Sequence, residues 1–194
     1  IEYYHFSVIE NMLKKHSLKA IDVLLNDSNG GSIRVFVKHS NQPIDVESEK
    51  HLAEVRDSEA AMNLNTDKPY EEFLQRCEKL RDDTISFIKK EVNAGKKIHA
   101  YGASTKGNTI LQYYGLDDNL IDAIADRNPD KWYRKTIGTN LKIISEEESR
   151  SLHPDYYLIL PWHFLEEFMQ REIEFLRNGG KFIVPLPDFK IIGA

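Results

Sequence analysis

The chain has 194 residues, of which 41% are hydrophobic and 29% charged, as in a soluble globular protein with one ordinary domain and an appendage. Its formal net charge of -5 argues against nucleic-acid binding, which needs a basic surface. No run approaches the roughly 20 apolar residues of a membrane span, so a membrane partner is not expected. The single cysteine, Cys77, excludes an internal disulfide, and the composition fits a cytoplasmic protein.

The first residues are typical neither of a signal peptide nor of a protein start. Ile1 stands where an initiator methionine would be, and the next residues lack a basic stretch followed by a continuous apolar one. We therefore expect the chain to be a piece of a longer protein.

Residues 1–43 predict a short helix followed by an antiparallel hairpin. Ser7 is the expected N-cap of the helix. Ala20–Leu25 and Ser32–Lys38 are β-like runs, and the connector between them is rich in turn-forming residues. Because a lone hairpin is only marginally stable in water, we expect this region to belong to a larger sheet.

Residues 44–95 predict a charged helical linker that ends in one long helix. Met62–Pro69 interrupts the pattern. Apolar residues then recur at near-helical spacing at Tyr70, Phe73, Leu74, Cys77, Leu80, Ile85 and Ile88. The long helix either covers a sheet or provides a pairing surface for a homodimer.

Residues 96–194 alternate between strand-like and helix-like segments, which predicts an α/β fold with a Rossmann-like, mostly parallel sheet flanked by helices. The predicted strands are Lys97–Tyr101, Leu120–Ala125, Leu141–Ile144, Tyr156–Leu160 and Phe182–Leu186. The predicted helices are Lys106–Tyr114, a short one capped by Ser145, and an apolar stripe from Leu165 to Leu176.

The turn between the first of these strands and its helix is the most informative segment. It contains Gly102, Ser104, Thr105 and Lys106, which suit a phosphate held at a helix N-terminus. It matches neither the G-x-G-x-x-G fingerprint nor a P-loop. Taken alone, it is equally well explained as a tight turn with an ordinary N-cap.

Four runs occur in the order found in the C-terminal domain of S-adenosylmethionine-dependent nucleotide-sugar C-methyltransferases, and the chain resembles that domain. The runs are Tyr101–Thr109, Asp126–Lys131 with Gly138-Thr139, Leu160–Phe164 and Gly179–Pro185. Gly30–Val35 resembles the last strand of the family's methyltransferase domain. The chain departs from the family's usual residues at Ile137, Lys142 and His163.

The resemblance implies a parent enzyme with a zinc-binding module, a methyltransferase domain and this C-terminal part. Such enzymes methylate a carbon next to the keto group of a nucleotide-activated deoxysugar, with S-adenosylmethionine as the methyl donor. We find no glycine-rich donor loop, so no cofactor is expected in this chain, which we expect to be inactive alone. The expected ligand is the nucleotide-sugar.

The resemblance, together with position at strand ends, selects the candidate substrate-binding residues Tyr101, Gly102, Ser104, Thr105, Lys106, Asn108, Asp126, Asn128, Lys131, Trp162 and His163. Asp126 suits a ribose hydroxyl, but Asp126–Pro129 also reads as a structural turn. Lys131 either reaches a phosphate or is solvated, and Trp162 either stacks on a base or packs.

The candidate catalytic residues are Tyr4 and His5, near the segment where the family removes a proton from the sugar. A base and an enolate-stabilising donor are what this chemistry needs. A surface or packing role is the more ordinary explanation of a histidine. The other histidines show no metal-ligand spacing, so no metal is assigned.

Two other functional classes stay open. The chain could be a non-catalytic module that stabilises or dimerises its parent, or a nucleotide- or coenzyme A-binding domain of other purpose.

Overall fold

The computed structural model describes residues 4–28 and 31–193. The chain divides into two compact units, the first unit Ile1–Leu74 and the second unit Gln75–Ala194. The long helix α3, Lys68–Asn93, crosses this division. Residues 44–95, predicted as one helical linker, are therefore shared between the units.

The first unit contains two helices and a two-stranded sheet. Its elements are α1 (Phe6–Lys14), β1 (Leu18–Asn26), β2 (Ser32–His39) and α2 (Val46–Ala61). The strands β1 and β2 pair antiparallel, which confirms the predicted hairpin. Its buried core consists of Phe6, Ala20, Val23 and Leu52.

The predicted start of α1 was wrong. The helix begins at Phe6, with His5 in the N-cap position and no side-chain cap. The carboxylate of Glu59, on α2, instead accepts hydrogen bonds from the backbone N–H groups of Phe6 and Ser7. Because a residue distant in sequence satisfies these free N–H groups, the helix needs no local cap.

The second unit is built on a six-stranded sheet of order β5-β4-β3-β6-β7-β8. All neighbours are parallel except β8, which pairs antiparallel with β7. The strands are β3 (Ile98–Tyr101), β4 (Ala123–Ala125), β5 (Ile143–Ile144), β6 (Tyr156–Ile159), β7 (Lys181–Val184) and β8 (Lys190–Ile192). The predicted fold class is confirmed, although β8 was not predicted.

The strand expected at Leu120–Ala125 is shorter than predicted. Leu120 and Ile121 instead donate their backbone N–H groups to the carbonyl of Asp117, which makes a turn before β4. Ile121 is fully buried although it lies outside the strand, so its apolar side chain extends the strand-like run in the sequence.

Four helices follow the strands: α4 (Thr105–Tyr114), α5 (Glu146–Ser151), α6 (Leu165–Arg171) and α7 (Ile173–Arg177). Ser145 caps α5 as predicted, by accepting from the N–H of Glu148. The single stripe expected from Leu165 to Leu176 is two helices. They are separated at Glu172, whose carboxylate is buried and bound by Arg150.

Both faces of the central strands are buried, as a parallel sheet requires. In β6, Tyr156 and Leu158 face one hydrophobic cluster, whereas Tyr157 and Ile159 face the other. The first cluster includes residues of α3 and α4, and the second includes residues of α6 and α7. In the described ranges, no helix is long and apolar enough to cross a membrane.

Candidate functional site

The candidate site is a cavity at the carboxyl ends of β3, β4 and β6. From β3 the chain builds β4 and β5 on one side, and it then crosses over to build β6 and β7 on the other. Ligands of open α/β sheets bind at such a reversal of strand order. A cavity of about 370 Å³ opens here. Six predicted substrate-binding residues line it: Tyr101, Gly102, Ser104, Asp126, Asn128 and Lys131.

The turn after β3 forms the first wall. Gly102 has a φ of +87°, and a Cβ there would lie 2.7 Å from Cγ of Pro161. Only glycine therefore fits where this turn meets the loop after β6. Ser104 is the N-cap of α4, because its Oγ accepts from the N–H of Gly107 at 2.9 Å. Its hydroxyl is thus already engaged by the helix that it caps.

The first turn of α4 holds Thr105 and Lys106, whose side chains are exposed and do not line the cavity. Within the described residues, their backbone N–H groups have no hydrogen-bond acceptor. Asn108, one turn further, is half-buried, and its Oδ1 atom is buried without a partner within the described chain. The helix therefore offers free N–H groups near this wall.

Asp126 ties the loop after β4 to the turn after β3. Its Oδ2 accepts from the N–H of Ala103 at 2.7 Å and from Nζ of Lys131 at 3.1 Å. Its Oδ1 accepts from the N–H of Asn128 at 2.8 Å. Lys131 also donates to the carbonyl of Ala103 at 2.9 Å. Both carboxylate oxygens are therefore used to hold the two loops together.

Asn128 occupies a structural position in the same loop. Its Oδ1 accepts from the N–H of Asp130 at 3.0 Å and caps the short 3₁₀ turn Pro129–Lys131. This contact is the one expected of a structural turn. Asn128 is exposed and also lines the cavity.

The loop after β6 and helix α6 form the third wall, and Phe164 and Phe168 line it. Trp162 is half-buried and packs against both hydrophobic clusters, which agrees with a packing role. His163 is exposed, with its ring centroid 4.6 Å from that of Phe164. Neither Trp162 nor His163 lines the cavity.

Ion pairs cross the mouth of the cavity. Arg171 donates from Nη1 to Oε1 of Glu146 at 2.9 Å, and from Nη2 to Glu167. Nη1 of Arg127 lies 3.8 Å from Oε1 of Glu167. With Lys131 and Asp126, three cations and three carboxylates line the cavity, so its formal charge is balanced.

Beneath this mouth, Tyr101 and Glu172 form a buried polar contact. The hydroxyl of Tyr101 donates to Oε1 of Glu172 at 2.8 Å, and Nε of Arg150 donates to Oε2 at 2.9 Å. Burial, reinforced by the hydrogen bond with Glu172, raises the pKa of Tyr101 well above its usual range. Tyr101 therefore remains a neutral phenol that supports the wall.

A second buried group lies deeper in the sheet. Oγ of Ser149 lies 2.8 Å from Nδ1 of His99 and 2.9 Å from the hydroxyl of Tyr157. Burial lowers the pKa of His99 and raises the pKa of Tyr157 to about 12, so both stay neutral. In the part of the chain that the structure describes, no three His, Cys, Asp or Glu side chains are placed to hold a metal ion.

The two predicted catalytic residues belong to the first unit. Tyr4 is half-exposed and lines an apolar groove along α1 with Ile9 and Met12. Nδ1 of His5 lies 2.7 Å from Oγ of Ser7 and 3.6 Å from Oε2 of Glu59. A catalytic role for Tyr4 and His5 stays a prediction.

Several residues of the cavity escaped the sequence analysis. They are Arg127, Glu146, Phe164, Glu167, Phe168 and Arg171. Arg127 and Phe164 lie inside two of the runs that resemble the family, so the position of these runs could have pointed to them. Glu167 and Arg171 are four residues apart on α6. Because pairs with this spacing are common on solvent-exposed helix faces, the spacing alone does not indicate a binding site.

Comparison with known proteins identifies the family to which this chain belongs. Residues 27–187 match the family described as the C-methyltransferase C-terminal domain. The chain is also similar to the C-methyltransferase NovU of Streptomyces niveus, with 33% identity over 192 residues. That match covers 99% of this chain and 45% of the relative, so the chain spans less than half the length of NovU. The chain belongs to the family of C-methyltransferase C-terminal domains.

Proposed function

We propose that the second unit binds the nucleotide-sugar substrate of a C-methyltransferase, with its diphosphate in the cavity at the ends of β3, β4 and β6. The observation that carries the proposal is the position of three basic side chains, Arg127, Lys131 and Arg171, around a cavity at the reversal of strand order. Arginine and lysine are the side chains that bind phosphate groups most strongly.

The size and lining of the cavity support a ligand of this kind. Its volume of about 370 Å³ lies within the usual range for small-molecule sites. Phe164, 49% exposed, offers an aromatic face to a base or sugar ring. The free N–H groups of Thr105 and Lys106 add donors at the positive end of α4.

S-adenosylmethionine is the methyl donor of the proposed reaction. The sequence contains no glycine-rich donor loop of the G-x-G-x-x-G type. We therefore assign the donor to a part of the enzyme outside this chain, and expect no methyl transfer by these residues alone.

In the proposed reaction, a base removes the proton from the carbon next to the keto group of a deoxysugar, and that carbon receives the methyl group. Tyr4 and His5 are our candidates for proton transfer, on the resemblance of their segment to the family. We expect the reaction to occur in the cytoplasm.

Nucleotide-sugar binding is tested by the thermal melting shift of the purified protein with dTDP-, UDP-, GDP- and CDP-sugars, with S-adenosylmethionine and coenzyme A as comparisons. A ligand of the folded state raises the melting temperature as its concentration exceeds its Kd. We expect a shift with one nucleotide class and a loss of about three- to tenfold in affinity in Arg127→Gln, because one charge-assisted contact is removed.

Arg177→Gln is the matched control, since Arg177 is also an exposed arginine in a surface ion pair of the second unit but does not line the cavity. It should bind like the wild type. The proposal fails if no nucleotide-sugar shifts the melting temperature, or if both arginine variants weaken binding equally. A larger shift with coenzyme A would favour the coenzyme A-binding alternative.

A specific observation favours a second role, in self-association. Tyr70, Phe73 and Leu74, at the start of α3, are each more than half exposed. Contiguous exposed apolar residues mark interaction surfaces. Analytical ultracentrifugation across a hundredfold range of protein concentration tests this role. The wild type should associate as the concentration rises, and Phe73→Glu should remain monomeric.

A further inference from the structure

The inference concerns Glu167, and it rests on the proposed function, since it names a residue that controls the anion site of the same cavity. Glu167 lies on α6 at the mouth of the cavity, 51% exposed. Its Oε1 atom lies between two guanidinium groups that also line the cavity, those of Arg127 and Arg171.

The partners of these two arginines differ. Arg171 is anchored on its other side, because Nη1 donates to Glu146 at 2.9 Å and the guanidinium lies 5.5 Å from the ring centroid of Phe168. Arg127 is 76% exposed, and Glu167 is its only ion-pair partner within the described residues. The carboxylate of Glu167 therefore lies beside Arg171, which has further partners, and beside Arg127, which has no other ion pair within the described residues.

Four of the other five charged side chains of the cavity form two balanced ion pairs. Asp126 pairs with Lys131, and Glu146 pairs with Arg171. Removing the carboxylate of Glu167 from the cavity would thus leave one uncompensated positive charge, at Arg127. A carboxylate is a weaker competitor for two guanidinium groups than a phosphate, which has more oxygens and more charge.

We propose that Glu167 holds the place of a ligand phosphate between Arg127 and Arg171 and leaves this position when an anionic ligand binds. Glu167 is then a specificity-determining residue that excludes weak or singly charged anions. The half-exposed position of Glu167 favours its release, since solvent-exposed ion pairs contribute little to stability.

The test compares Glu167→Gln with the wild type, using inorganic pyrophosphate and dTDP as probes and isothermal titration at low salt. Glu166→Gln is the matched control, because Glu166 is the neighbouring exposed glutamate, has no ion pair within the described residues and does not line the cavity. We expect pyrophosphate to bind about fivefold tighter to Glu167→Gln, the factor that one exposed ion pair supplies. Glu166→Gln should bind like the wild type.

A double variant, Glu167→Gln with Arg127→Gln, separates this role from a general change in charge. If Glu167 acts through the arginines, the gain is lost in the double variant. The inference is overturned if Glu167→Gln binds pyrophosphate no more tightly than the wild type, or if Glu166→Gln gains as much. Nucleotide-sugar binding by the wild type would persist in that case, so failure of this inference is distinguishable from failure of the proposed function.

Discussion

The two units of the chain differ in how completely they bury their apolar side chains. In the second unit, helices cover both faces of a sheet whose central strands are fully buried. In the first unit, a core of four buried residues lies beneath one hairpin, and large apolar side chains remain in contact with solvent. These exposed residues include Tyr4, Met12, Leu24, Leu25, Phe36 and Val37. The second unit therefore has a sheet covered on both faces, whereas the hairpin of the first unit leaves apolar surface exposed.

The largest effect is expected from removing the cationic partner of a buried carboxylate in the second unit. Arg150→Ala leaves the carboxylate of Glu172, 1% exposed, without its cationic partner. Such a loss costs about 3–5 kcal/mol, because a buried charge is left uncompensated. Chemical denaturation followed by circular dichroism measures the change in the free energy of unfolding.

The matched control is Arg177→Ala, which breaks an exposed pair with Glu174 on a neighbouring stretch of the same unit. Exposed pairs contribute about 0–1 kcal/mol, so this variant should unfold almost like the wild type. Equal losses in the two variants would show that the contact between Arg150 and Glu172 does not stabilise the second unit.

The next effect belongs to the small core of the first unit. Leu52 is fully buried, and Leu52→Ala should destabilise the hairpin by about 3 kcal/mol through lost burial and the cavity left behind. We expect faster amide hydrogen exchange in β1 and β2. Leu25→Ala is the control, since Leu25 is 71% exposed and its loss should change exchange little. Similar exchange in both variants would contradict the assigned core.

The smallest expected effect depends on pH. Nδ1 of His51 lies 2.9 Å from Oδ1 of Asp22, and this hydrogen bond raises the pKa of His51 above its ordinary value of 6.5. The stabilising contribution is therefore complete below pH 6.5 and disappears as the pH rises through the raised pKa of the folded state. His51→Asn should destabilise the first unit more at pH 5.5 than at pH 8.5.

Titration of the His51 ring by NMR checks the cause directly. In Asp22→Asn the acceptor carboxylate is lost, and the pKa of His51 should fall relative to the wild type. An unchanged titration curve would mean that Asp22 does not perturb His51.

The backbone architecture of the second unit was readable from the sequence because its signals are local. Short apolar runs such as Tyr156–Leu160, alternating with helical segments, favour buried strands, and Gly115 ends α4 in the left-handed conformation expected of a glycine. The alternation of strands and helices then determines that the strand ends meet at one edge. The helix break at Glu172 was missed because the apolar spacing from Leu165 to Leu176 continues across it, and nothing local shows that Glu172 is bound by Arg150, 22 residues away.

The chemistry of the cavity was less readable, because a residue type does not reveal which partner its side chain has. Ser104 and Asp126 were selected as ligand-binding groups, yet each also makes the hydrogen bonds that shape its loop. Phe164, rather than Trp162, lines the cavity. Both rings belong to the 3₁₀ turn Trp162–Phe164 after β6, and the sequence does not show which of them faces the cavity and which packs against the core. Arg171 lies on α6, where no sequence motif indicated a ligand-binding residue.

The links made by Asp126 have a consequence for the kinetics of binding. Because one carboxylate joins the turn after β3 to the loop after β4, these two walls are already ordered before any ligand arrives. Ligand association then requires no folding of loops, and its rate is governed by collision and orientation. Ligands that fit this rigid frame to different degrees should enter at similar rates and differ mainly in how long they stay.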